Sequence, residues 1–215
     1  MIRKITGFSL LATALLGLFP LACQPGGVGD PCTPEDEYDR NFSGYNAKEV
    51  NVESKSFQCE TRICLANHFQ GRVSCKYGQN PPTVTGMRPN EEAADARCFV
   101  PGSPGIPGKA ILVAVDAQLV ERQADRAVYC SCRCDGEDKN ARYCKCPSGY
   151  ACTHLVDDLH LGGGGQLAGS YCVRDGTGYS TTQSTPCTPK GYITNDPNNP
   201  DFTPPLSCGE TTDQG

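Results

Sequence analysis

Five cysteines, Cys130, Cys132, Cys134, Cys144 and Cys146, fall within seventeen residues in the phrase CSCRCDGEDKNARYCKC. Thiols at that density have two kinds of chemistry open to them. As thiolates in a reducing compartment they ligate zinc or an iron–sulfur cluster. In an oxidising compartment they pair as disulfides. The spacing does not resolve into two CxxC halves, which leaves the compartment to decide.

The compartment is legible at the N-terminus. Residues 1–22 contain no acid, begin with Arg3 and Lys4, and continue as an apolar run from Ile5 to Ala22 broken by a few small or polar residues and Pro20. A basic start, a short apolar core and a small residue at the end make a secretory signal. A spanning helix needs about 20 apolar residues, and this run is shorter. No later stretch is long and apolar enough to span a bilayer. Removal of residues 1–22 leaves 193 of the 215 residues and takes the formal net charge from −5 to −7. An acidic chain with no basic cluster is a poor partner for nucleic acid or anionic lipid.

Export favours disulfides over metal, and no metal or other cofactor is expected. The chain has fifteen cysteines. Fourteen follow Cys23, an even number: Cys32, Cys59, Cys64, Cys75, Cys98, Cys130, Cys132, Cys134, Cys144, Cys146, Cys152, Cys172, Cys187 and Cys208. All fourteen are expected to pair. Cys23 is the odd one, at the expected new N-terminus.

The residues Pro20, Leu21, Ala22 and Cys23 resemble the lipobox of bacterial lipoproteins, with the leucine one place late. The resemblance implies lipidation of Cys23. Gln24, where an Asp would retain such a protein in the inner membrane, implies the outer membrane. The alternative is a secreted protein with one free or intermolecular thiol.

Alternate residues of a strand share a face, so Cys130, Cys132 and Cys134 are expected on one face, and Cys144 and Cys146 likewise, as two arms of a hairpin. A bond inside Cys-x-Cys is strained, which predicts that each of these cysteines pairs with a distant partner. Cys187 and Cys208 are the only cysteines of the C-terminal stretch and are expected to bond to each other. A native disulfide contributes on the order of 2–4 kcal/mol, so seven would hold loops that a thin core would not.

The elements around these residues are short. Residues 24–31, QPGGVGDP, read as a flexible tether. EVNVESKSFQC reads as an exposed strand, and RVSCKYG as another. Between them, ETRICLANHF reads as a helical turn or a loop. Glu91 to Ala96 are expected to form a short helix leading to Cys98. PGSPGIPG, residues 101–108, is a break. The apolar segment KAILVAVDAQLVERQ favours a buried strand through about Val115, with a helix as the alternative. GSYCVRDG reads as a strand. From Thr177 the chain is rich in Thr, Pro, Asn, Gly and Ser, an irregular tail.

Signals for catalysis are absent or bland. The histidines are His68, His154 and His160. His154 and His160 flank Asp157 and Asp158, but no HExxH or second motif supports a metal or acid–base site. The glycine run at 162–165 lacks the Lys-Ser/Thr of a phosphate loop and reads as a hinge. DGEDKN and NDPNNPD lack EF-hand spacing.

CKCPSGYAC, with Cys144, Cys146, Gly149, Tyr150 and Cys152 in order, resembles the end of an epidermal-growth-factor module, although its last spacing is short. Over most of the mature chain, Cys23 with GVGDPC, SFQCETRICL, RVSC and VYCSCRC resembles cysteine-rich outer-membrane lipoproteins of myxobacteria, including those of the adventurous, contact-dependent gliding-motility machinery. That resemblance implies an envelope protein acting through contacts, in gliding or adhesion.

The expected fold is a small β-rich, disulfide-stapled domain with short helices and long irregular loops. The expected organisation is a signal peptide at 1–22, a lipidated Cys23 and tether at 23–31, a disulfide-rich β domain at 32–176, and a tail at 177–215 pinned by one disulfide. The expected function is that of a non-enzymatic lipoprotein, membrane-bound through its lipid, with protein partners in the envelope. Two alternatives stand beside it. One is a soluble secreted protein with growth-factor-like modules. The other is an exported hydrolase or ligand-binding protein with a site near His154–His160.

Overall fold

The computed structural model describes residues 25–81, 98–104, 106, 108–158, 167–182, 184–187 and 208. Within them the chain is strand-rich and stapled by seven disulfides, with long irregular connections. Among the described residues helix is confined to a 3-10 turn at Glu35–Tyr38 and one turn of α-helix, α1, at Ala124–Ala127.

Two three-stranded antiparallel sheets carry the fold. The first runs β1 (Val50–Glu53), β2 (Ile63–Asn67) and β3 (Val128–Ser131). The second has β6 (Gly169–Arg174) at its centre, between β4 (Arg133–Asp135) and β5 (Tyr150–Val156). Only Cys132 separates β3 from β4, so the chain passes directly from one sheet to the other.

The period of two explains how β2 and β3 divide the core. Cys64 and Ala66 lie opposite Cys130 and Val128 and join Cys32, Cys59, Phe69 and Ala127 in one cluster. Leu65 lies opposite Tyr129, and both face the other way, packing with Val173 and with Val50, Val52, Tyr150 and Leu155. A third cluster, Cys75, Cys98, Val100, Ile111 and Val115, lies under the loops.

Several expectations need correction. ETRICLANHF is not a helical turn or loop: its centre is β2, the middle strand of the first sheet, because both of its faces find apolar cover. RVSCKYG is not a strand; residues 71–78 are turns and isolated bridges. What orders them is Arg72, which is fully buried. Its guanidinium donates to Glu37 Oε2 at 3.3 Å, to the carbonyls of Asp39 at 3.0 Å and Phe42 at 2.7 Å, and to the Glu37 carbonyl. Glu37, equally buried, accepts from Val73 N at 2.7 Å and Ser74 Oγ at 2.9 Å. The buried charges are thus paired and hydrogen-bonded, the condition under which burial is tolerated.

The segment from Lys109 is extended and supplies Ile111 and Val115 to the core, but it forms only isolated bridges. The Gln79 side chain replaces part of a ladder. Its Nε2 donates to the Ile111 and Val113 carbonyls at 3.0 and 2.9 Å, and its Oε1 accepts from Cys98 N at 3.0 Å.

The boundary expected at 176/177 is not a boundary. Asn67 Nδ2 bonds to both the carbonyl and the hydroxyl of Thr177. Arg122 donates to the carbonyls of His68, Thr177 and Gly178. Leu119 bridges to Pro186, and Cys187 N bonds to the Gln118 carbonyl at 2.7 Å. Residues 177–182 and 184–187 therefore belong to the body. The helix expected at 91–96 and the glycine hinge at 162–165 lie outside the described residues.

Candidate functional site

Residues 25–31 are not a free tether. Gly26 forms a parallel bridge with Cys59; its N–H donates to the Gln58 carbonyl at 2.7 Å, and its carbonyl accepts from Glu60 N at 2.9 Å. Gly29 N bonds to the Cys130 carbonyl and Cys130 N to the Asp30 carbonyl, each at 2.8 Å. The Asp30 carboxylate accepts from Gly27 N at 2.8 Å. Glycine and proline bar this piece from helix, and Asp30 N closes a turn on the Gly27 carbonyl at 3.1 Å, yet the remaining N–H and C=O groups find unpaired backbone on the 56–62 turn and on β3.

Arg174, at the end of β6, locks the piece down. Its guanidinium reaches the Gly29 carbonyl at 3.0 Å, the Asp125 carbonyl at 3.0 Å and the Tyr150 hydroxyl at 3.0 Å, and lies over the Tyr129 ring at 5.1 Å. Gly29 has φ +100, and a Cβ there would strike the Tyr150 hydroxyl, so glycine is required. Nothing in the spacing around Arg174 marks it for this role; it was not singled out in the sequence.

The neighbour of the docked piece is the turn at 56–62. Ser56 N bonds to the Arg62 carbonyl at 3.1 Å, and the Cys59–Cys130 disulfide roots the turn on β3. Phe57 is 80% exposed at its surface, with the Arg62 guanidinium 4.3 Å from its ring centroid.

The seven disulfides are Cys32–Cys64, Cys59–Cys130, Cys75–Cys98, Cys132–Cys144, Cys134–Cys152, Cys146–Cys172 and Cys187–Cys208. They use all fourteen cysteines after Cys23. No bond falls within a Cys-x-Cys, and Cys187–Cys208 forms as expected. The hairpin of CSCRC and CKC does not form. The β4 arm pairs with β6, while residues 144–146 are irregular and tied to the first arm by Cys132–Cys144 and by Cys144 N to the Arg133 carbonyl at 3.1 Å. Cys64 and Cys130 lie directly opposite across β2 and β3, as do Cys152 and Cys172 across β5 and β6. Neither pair bonds across its own register: Cys64, Cys130 and Cys172 bond to Cys32, Cys59 and Cys146 outside their sheets, and Cys152 bonds to Cys134 on the other outer strand of the second sheet. CKCPSGYAC is not closed by its own cysteines: Cys144 bonds to Cys132, Cys146 to Cys172 and Cys152 to Cys134.

Three sets of sulfurs lie within 4.8 Å of one another: Cys32, Cys59 and Cys130; Cys132, Cys144 and Cys172; Cys134, Cys146 and Cys152. Each set is one complete disulfide with half of another beside it. Metal ligation needs thiolates, and these sulfurs are bonded to sulfur.

His154 lies on β5, exposed, with Nε2 2.8 Å from Asp157 Oδ1. It is in register with Ser170 of β6, and both line a shallow recess of about 210 Å³ with Asp135, Glu137 and Asp158. A larger groove of about 690 Å³, lined by Tyr77, Gln79, Val115, Asp116 and Pro186, lies near the third cluster. Cys23 and His160 lie outside the described residues.

Burial shifts several titrating groups. The His68 imidazole is held below its ordinary value, first by burial, against a bond to the Ala47 carbonyl that works the other way, and then by the Arg122 charge. Burial also pushes the phenols of Tyr45, Tyr129 and Tyr171 upward.

Comparison with known proteins returns no matching family model, no matching curated protein and no matching solved structure.

Proposed function

We propose that the chain is a lipid-anchored, non-enzymatic component of a cell envelope, held to the outer membrane through Cys23 and acting through protein contacts, in gliding or adhesion. The observation that carries this reading is the cysteine arithmetic. The seven disulfides use Cys32 to Cys208 completely, and Cys23 is the remaining one of the fifteen cysteines. It directly follows a basic and apolar segment of the signal type. Disulfide density of this order accords with an exported protein. The gliding and adhesion part rests on the resemblance in sequence style.

The test is fractionation of the native host. The unaltered protein is expected in the membrane pellet and to be extracted by detergent, not by high salt. Cys23→Ser is expected to move it to the soluble fraction or to leave its signal uncleaved. Release of the unaltered protein by salt alone would contradict the anchor and favour the soluble secreted alternative.

A second reading, an exported hydrolase or ligand-binding protein, is favoured by one feature: His154, paired with Asp157, sits opposite Ser170 in one recess. It predicts a phenotype for His154→Ala without loss of folding. The envelope reading predicts none.

A further inference from the structure

We propose that the turn at residues 56–62 is the membrane-facing surface of the protein, and that the Phe57 ring enters the headgroup layer of the bilayer. This deepens the reading above and rests on acylation of Cys23.

The argument begins with the covalent leash. Cys23 is three residues from Gly26, and consecutive Cα atoms are about 3.8 Å apart, so the two Cα atoms are at most about 11 Å apart. Gly26 is itself fixed, bridged to Cys59 and bonded to Gln58 and Glu60. Paired backbones lie about 4.8 Å apart. The acylated residue therefore sits within roughly 16 Å of the Gln58–Cys59 backbone, whichever way residues 23–25 run. A lipid-bearing cysteine lies at headgroup level, so this turn cannot be far from the headgroups. A long free tether would have imposed no such limit.

The turn is chemically suited to that position. Phe57, at 80%, is the most exposed of the large apolar side chains among the described residues; the next, Tyr38, is at 53%. Arg62 stacks on its ring, and Lys55 is exposed beside it. An aromatic ring with cationic neighbours matches the apolar-to-phosphate gradient of a bilayer interface, where aromatic rings and snorkelling Arg and Lys concentrate. Glu60, also exposed, stands in the same turn, so the turn is close to neutral and its fit is to the interface itself and not to anionic lipid. Finally, the turn is rigid: the Ser56–Arg62 backbone bond closes it, and the Cys59–Cys130 disulfide anchors it, so Phe57 is held outward and not left to collapse onto the body.

The chain contains no tryptophan, so Phe57→Trp would carry the only indole. The acylated variant, purified from its host and placed on vesicles containing brominated phospholipid, is expected to show blue-shifted emission and to lose most of it to the bromines. The Cys23→Ser form in solution is expected to stay open to acrylamide. In the unaltered acylated protein, amide exchange at 55–62 is expected to slow on vesicles, which checks the surface without any substitution there. If the mass shows acyl chains on Cys23, yet the indole stays as accessible to acrylamide as in solution and exchange at 55–62 is unchanged, the turn does not face the membrane and the anchor stands. A mass without acyl chains would overturn the anchor and this inference together.

Discussion

Replacing Arg72 with methionine removes the donors that hold residues 35–42 against residues 71–76. The guanidinium supplies hydrogen bonds to Glu37 Oε2 and to the carbonyls of Glu37, Asp39 and Phe42, and both Arg72 and Glu37 are fully buried. Breaking a buried pair by deleting one partner costs about 3–5 kcal/mol, because the other charge stays buried. Glu37 keeps Val73 N and Ser74 Oγ as donors, which places Arg72→Met near the lower end, about 3 kcal/mol. A domain of ordinary stability has about 5–15 kcal/mol in total, so the loss is large and measurable. Urea unfolding without reductant, followed by tyrosine fluorescence or circular dichroism, gives the value. Glu37→Leu combined with Arg72→Met removes both charges, and the double variant is expected to lose at least about 1 kcal/mol less than the sum of the singles. A cost for Arg72→Met below about 1 kcal/mol, or strict additivity in the cycle, would refute the claim that this pair organises residues 35–42 and 71–76.

Four further outcomes are expected. His68 has its folded value held below its unfolded one, so the unfolded chain binds the extra proton; this contribution to stability is present above about pH 6.5 and is lost as pH falls through the folded value. His68 also has φ +52, which Asn tolerates, so a His68→Asn variant is expected to unfold with a flatter pH dependence between pH 7 and 5, and an unchanged slope would refute the assignment. Glu53, raised first by burial, acts with the opposite sign: its contribution works against folding above the unfolded value and eases on acidification, in a lower window than His68. Gly29→Ala is expected to loosen residues 26–31, seen as faster amide exchange there with β5 and β6 still protected, because the added methyl meets the Tyr150 hydroxyl at a positive φ. Replacing both Cys187 and Cys208 with serine is expected to cost about 3 kcal/mol or less from loop-closure entropy, with the other six disulfides intact in a peptide map; scrambling of those six would show that the tail bond directs the others.

Where residue type alone carried the information, the sequence could be read. Val50 and Val52 alternate and form β1, although that strand ends at Glu53 and is half-buried against Leu65 and Tyr129 where the sequence predicts an exposed strand running to Cys59; GSYCVR forms β6, and the isolation of Cys187 and Cys208 left them only each other. Strain within Cys-x-Cys correctly sent those cysteines to distant partners. What could not be read depended on partners far along the chain. RICLAN is a short apolar run that fits a helical turn as well as a strand, and only cover on both faces, from Ala127 and Val128 on one side and Val173 on the other, makes it β2. The segment at 71–78 has strand-like composition, but the buried Arg72 draws it onto the Glu37 turn. QPGGVGDP has a linker's composition, and its described part, residues 25–31, is docked because the backbones of Gln58, Glu60 and Cys130, with the Arg174 side chain, meet its backbone groups. No local pattern announces a side chain 145 residues away. The same holds for the candidate surface at Phe57, which the sequence reads only as the end of a strand.

The account turns on Cys23, and the intact mass of the protein from its own host, before and after reduction, tests it most directly. The account predicts a chain beginning at Cys23 with three acyl chains, and a gain on reduction of about fourteen hydrogens, two for each of seven disulfides. A mass without acyl chains, starting elsewhere or with Cys23 in an eighth, intermolecular bond, would contradict the membrane anchor.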